Sequence, residues 1–91
     1  MKFEWDPDKN ELNDRKHGVS FEEAMTVWFD EWALISPDQS NSVGELREGI
    51  IGVSKSQILM LVVFTQRENR IRIISARPVT KRERDGYVGQ F

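Results

Sequence analysis

The run Ile58-Leu-Met-Leu-Val-Val-Phe-Thr65 constrains this chain more than any other segment. It is continuously apolar up to its last residue and rich in β-branched side chains. It is also far shorter than the roughly 20 residues a bilayer-crossing helix needs. A run of this kind predicts a central β-strand covered on both faces, so the fold must supply neighbouring strands and at least one layer of helices. The next apolar segment, Arg70-Ile-Arg-Ile-Ile-Ser-Ala-Arg77, follows after the hairpin-sized connection Gln66-Arg-Glu-Asn69. It predicts a second strand that carries arginines and is anchored by Ile71, Ile73, Ile74 and Ala76.

The remaining elements follow from local signals. Met1 to Trp5 alternates well enough for a short first strand. Asp6-Pro7 opens a helix, with Asp as cap and Pro preset for the first helical position. That helix is expected to stop at Gly18, a natural left-handed C-terminal residue. Ser20-Phe-Glu-Glu23 fits a capping box, Ser20 accepting from the backbone while Glu23 reaches back. The helix it opens places Phe21, Ala24, Met25, Trp28 and Trp32 on one face at core spacing. Ala33 to Ser36 and Gly49 to Ser54 are further strands. The polar stretch from Pro37 to Gly44 between them reads as a mobile loop. Thr80-Lys-Arg-Glu83 is a second capping box, opening a last helix that includes Tyr87. The order β-α-α-β-β-β-β-α predicts one α+β domain over residues 1–91, with two N-terminal helices packed on a small antiparallel sheet and a C-terminal helix behind.

Composition narrows the function classes. At 91 residues, 38% apolar and 31% charged, the chain suits a small folded domain. With no cysteine it has no disulfide framework and no thiolate metal site. One histidine and dispersed carboxylates offer no cluster with metal-ligand spacing, and no cofactor is expected. Nothing resembles a phosphate-cradling glycine loop or a serine triad. No signal peptide or membrane span is visible, which makes a cytoplasmic location the default expectation. The net charge of −2 hides an asymmetry. Residues 1–48 carry 5 Lys+Arg against 12 Asp+Glu, and residues 49–91 carry 8 against 3, giving −7 and +5. Either the halves neutralise one another or one side of the molecule faces anions.

The arginines Arg70, Arg72 and Arg77 place fixed positive charge on a sheet whose side chains alternate between faces. A guanidinium stays charged and pairs bidentately with phosphate, so the segment suits a phosphate-bearing partner. The competing expectation is that these arginines form ion pairs with the acidic first half of the same chain.

Three pieces of sequence, in order and in register, resemble the BrnT family of toxins from type II toxin–antitoxin systems. The first is Phe3-Glu-Trp-Asp-Pro7 with Lys9. The second is Asn13 followed by Lys16-His-Gly-Val-Ser-Phe-Glu-Glu-Ala24. The third is Thr65, Arg67, the segment Arg70 to Arg77, Thr80, Arg82-Glu-Arg84 and Tyr87. Arg47, Ile51-Gly52 and Ser54 also fit. Val53 departs from the pattern, which often has arginine there. The resemblance implies a RelE-like ribonuclease fold and growth arrest through RNA cleavage. It also implies a cognate BrnA-like antitoxin that binds the toxin, with operator DNA contacted only through their complex.

RNA can be cut without a metal when its own 2′-hydroxyl attacks the adjacent phosphorus. The enzyme must then stabilise the charged phosphorane and move two protons. Arg77 is the first candidate for phosphate stabilisation, since it sits at a strand end and completes the family-like Ile-Ser-Ala-Arg motif. Arg67 and Arg82 are candidate helpers, and Arg47 is placed to meet them across the sheet. Arg70, Arg72 and Tyr87 are candidate substrate contacts, with a tyrosine packed under the last helix the commoner outcome for Tyr87. His17 is the only side chain with an ordinary pKa near working pH, and with Lys16 it is the candidate for proton transfer or phosphate contact. The alternative for both is electrostatic complement to a helix C-terminus. The competing function is a non-catalytic module that binds an antitoxin or nucleic acid.

Overall fold

The computed structural model describes residues 1–37 and 46–91; most of the loop expected between Pro37 and Gly44 lies outside them. The elements are β1 (Lys2–Glu4), α1 (Pro7–His17), α2 (Phe21–Met25), a 3-10 turn (Thr26–Phe29), β2 (Leu34–Pro37), β3 (Glu48–Val53), β4 (Leu59–Arg67), β5 (Arg70–Pro78) and α3 (Lys81–Val88). The order is the expected one. The sheet is not purely antiparallel, however. Its spatial order is β1-β5-β4-β3-β2, and β1 pairs with β5 in parallel while every other pair is antiparallel. Consecutive strands β2 to β5 form an antiparallel meander, and the free edge of β5 takes the N-terminal strand in parallel.

Local chemistry accounts for the helix ends. Asp6 caps α1, its Oδ1 accepting from Asp8 N at 2.9 Å, with Pro7 in the first turn. Gly18 ends the helix at φ 72°, a conformation that glycine adopts without the steric cost of a Cβ. Thr80 and Glu83 form the reciprocal capping box of α3. At α2 only half of the expected box forms. Ser20 Oγ accepts from Glu23 N at 3.1 Å, but the Glu23 carboxylate turns away to accept from Ser56 N and Oγ at 2.9 and 3.1 Å. It thereby ties the β3–β4 turn to α2, and the Ser54 hydroxyl and these Ser56 contacts hold its carboxyl below the usual range.

One face of the sheet forms the core. Phe21, Ala24 and Val27 pack there on Ile50, Met60, Val62, Phe64, Ile71, Ile73 and Ala76. Trp28 bridges this layer edge-on to Phe3 and Phe64. Gly52 faces Val27 so closely that a Cβ would meet its Cγ1 at 2.8 Å. Trp32 does not join the stripe expected of it. The helix tightens after Met25 and ends at Phe29, leaving Trp32 54% exposed against Phe91. The other face of β4 is only half-buried at Leu59, Leu61 and Val63, so the central strand is fully covered on one side rather than both.

A bulge in β5 decides what that second face carries. Phe64 pairs with Ile73 and Val63 with Ser75, so Ile74 is an extra residue. Before it, Ile71 and Ile73 point into the core and Arg70 and Arg72 away from it. After it, the core residue is Ala76, and Ser75 and Arg77 share the outer face with Arg70 and Arg72. Uninterrupted alternation would have turned Arg77 inward.

Candidate active site

The β1 pairing ends at Arg72, so the edge of β5 beyond it needs another partner. Asn13 of α1 supplies it. Asn13 Nδ2 donates to Ala76 O at 2.8 Å and to Val19 O at 2.9 Å, and Oδ1 accepts from Ala76 N at 3.1 Å. One buried side-chain amide thus imitates a strand neighbour and locks α1 beside the bulge. The seam is an open groove of about 400 Å³ lined by Lys9, Leu12, Asn13, Lys16, His17, Ile74 and Ser75. Arg77 lies two residues beyond Ser75 on the same face, about 7 Å along the strand.

Lys9 and Lys16 are exposed and His17 half-buried, and none makes an ion pair with a described residue. Arg77 is held differently. Its Nη1 and Nη2 donate to Glu83 Oε1 and Oε2 at 2.8 and 2.9 Å, and Nη1 also donates to Pro78 O at 3.1 Å. The Nη1–Nη2 fork facing Glu83 is therefore occupied, while Nε and the second hydrogen of Nη2, which form the other edge, have no protein acceptor among the described residues. Glu83 also accepts from Thr80 N at 2.8 Å, so one carboxylate fixes both the start of α3 and the orientation of Arg77. The hydrogen bonds from Arg77 come first among the causes that hold the Glu83 carboxyl down at about 2. The same pair raises the Arg77 pKa further, so the guanidinium stays charged.

The other candidates are dispersed. Arg70 and Arg72 donate to the two oxygens of Glu4 at 3.2 and 3.1 Å, the ion pairing with the acidic half that was the competing expectation. Arg67 pairs across the hairpin with Arg70, whereas Arg77 pairs with Leu61. Six residues of strand, about 20 Å, separate Arg67 from Arg77. Arg47 is half-buried ahead of β3 towards the Arg67 end, its Nε without a hydrogen-bond partner among the described residues. Arg82 is exposed in the first turn of α3, beside Glu83. Tyr87 is buried, and its hydroxyl donates to Asp30 Oδ2 at 2.6 Å. Burial, then Asp30, push its pKa up to about 12, and the buried ring with its engaged hydroxyl clamps α3 to the turn that carries Asp30. Asp30 also accepts from Val53 N and Trp32 N.

Lys9 and Ser75 join the groove without having been singled out as site residues. The Lys9, Asn13, Lys16 spacing was visible in the sequence. The exposure of Ser75 depends on the bulge and was not. Among the described residues no three of His, Asp and Glu come together in a way that would hold a metal ion. No helix among them is long and apolar enough to cross a membrane.

No curated protein matches the chain in sequence. A solved structure does match: the Brucella abortus ribonuclease toxin BrnT, at 25% identity over 89% of this chain and 99% of that one, with a TM-score of 0.69. Residues 5–83 match the family model described as the ribonuclease toxin, BrnT, of type II toxin–antitoxin systems. The match runs from the residue after β1 to the first turn of α3 and takes in every residue that lines the groove, and on that ground this chain belongs to the BrnT family.

Proposed function

We propose that this chain cuts RNA internally by metal-independent attack of the 2′-hydroxyl, and that the reaction takes place where the α1 groove meets Arg77. The observation that carries this reading is a groove lined by Lys16 and His17, with Arg77 two residues along the strand from its Ser75 wall and paired through only one edge of its guanidinium. Arg77 receives the phosphorane on that edge. Lys16 adds charge, and His17 transfers a proton. Arg82 flanks the site from α3. Arg47, Arg67, Arg70 and Arg72 lie towards the other end of the face and contribute at most to distant parts of the RNA.

The Arg77–Glu83 pair is also what a purely binding module would contain, so cleavage itself is the test. A defined RNA is incubated with purified chain in EDTA, beside Arg77→Ala and His17→Ala. The expected result is wild-type cutting that leaves 2′,3′-cyclic phosphate ends and is lost in both variants. Intact RNA with folded wild-type protein would instead favour the binding module.

A cognate antitoxin, BrnA-like, is proposed to neutralise the toxin by covering this same face, with operator DNA reached only through the complex. Undiminished antitoxin affinity in Arg77→Glu would count against the shared face.

A further inference from the structure

We infer that the α1 groove is an extended RNA subsite in which Lys9 and Leu12 bind the strand away from the scissile phosphate. The inference rests on the RNA reading above and adds residues that reading does not use. Lys9, Leu12, Asn13, Lys16 and His17 share one side of α1, while Glu11, Asp14 and Arg15 project from the other at helical spacing. The acidic side satisfies itself through the Glu11–Arg15 pair. Among the described residues the two lysines of the groove side make no ion pair, although the first half of the chain carries a surplus of carboxylates.

Lys9 and Lys16 are separated by seven residues, about 10 Å along the helix, too far for both to hold one phosphate. With Lys16 assigned to the scissile phosphate in the proposed reaction, Lys9 is left to meet a neighbouring phosphate of the same strand. Between the lysines, Leu12 is 60% exposed, an apolar side chain in a cationic groove. A ribose or base lying between two bound phosphates offers it a matching apolar surface. The floor is rigid, because Asn13 hydrogen-bonds to β5 on one side and Val19 on the other.

The test measures binding of uncleavable 2′-O-methyl oligonucleotides of two and ten residues across a salt series. Lys9→Gln is compared with Arg15→Gln, which changes net charge equally on the opposite side of α1. For the decamer, Lys9→Gln should weaken binding several-fold and lower the salt slope by about one, and Arg15→Gln should do neither. The dinucleotide should not distinguish Lys9→Gln from wild type, and melting temperatures should stay unchanged. Wild-type decamer affinity and slope in Lys9→Gln would overturn the subsite, as would equal losses for both lengths. A chain that fails to cut ordinary RNA but shows the Lys9-dependent decamer effect would keep the subsite and lose the ribonuclease reading. Cutting without any Lys9 effect would do the reverse.

Discussion

The two ends of β5 carry the same residue type on the same face and use it in opposite ways. At the first end Arg70 and Arg72 share the carboxylate of Glu4, a contact that staples the parallel strand β1 to the sheet. At the second end Arg77 is also paired, but with an acid from the following helix that holds one edge of the guanidinium and leaves another open. The groove that begins two residues before Arg77, at Ser75, holds Lys9 and Lys16, which make no ion pair among the described residues, and the Asn13 contact ties its walls together. Charge alone therefore does not mark a site. What differs is which edges of the cation the fold has already used.

The largest expected effect follows from that contrast. Arg77→Ala should lower RNA cleavage by roughly 10²–10³-fold, the usual cost of removing one donor to a developing oxyanion. Arg72→Ala should leave cleavage near wild type and barely change the melting temperature, because an open ion pair contributes little. Comparable losses in both variants, measured under single-turnover conditions, would dissolve the distinction between the two ends.

The scaffold of the Arg77 end should be the more fragile one. Asn13→Ala leaves the buried N–H and carbonyl of Ala76 and the carbonyl of Val19 without their partner. This should cost about 2–4 kcal/mol in urea denaturation. If the variant still folds, hydrogen exchange should speed up at Ala76 before it does at Ile71, whose strand neighbour is β1.

A smaller effect separates the ends in acid. Glu83 titrates near 2 in the folded chain, below its ordinary 4.5, because Arg77 stabilises its charged form. The stabilisation is thus complete above the ordinary carboxylate value and is lost as pH falls from there towards 2. Because water still reaches both side chains, its size should be only about 1 kcal/mol. Glu83→Gln should flatten this part of the stability profile. It should also lower kcat more than Thr80→Ala does, since Thr80→Ala weakens the helix cap yet leaves Arg77 oriented. Equal cleavage in the two variants would show that Glu83 only caps α3.

Sequence alone determined the features set by neighbours along the chain. The ends of α1 and the cap of α3 follow from Asp6, Gly18 and Thr80 with Glu83, and the strand β4 from an apolar run. Family membership was legible for a related reason, since its motifs are spread in order along nearly the whole chain. The rest required residues distant in sequence to meet. Nothing local sets β1 parallel to β5, or sends the Glu23 carboxylate to Ser56 in place of its own helix end. The bulge at Ile74 mattered most, because one extra residue reverses which side chains face the core. It brought Ser75 and Arg77 to the outer face, and Asn13 then closed the exposed edge beside them. Residue types and spacing thus proposed the candidates, whereas strand register and edge pairing selected which of them share a surface.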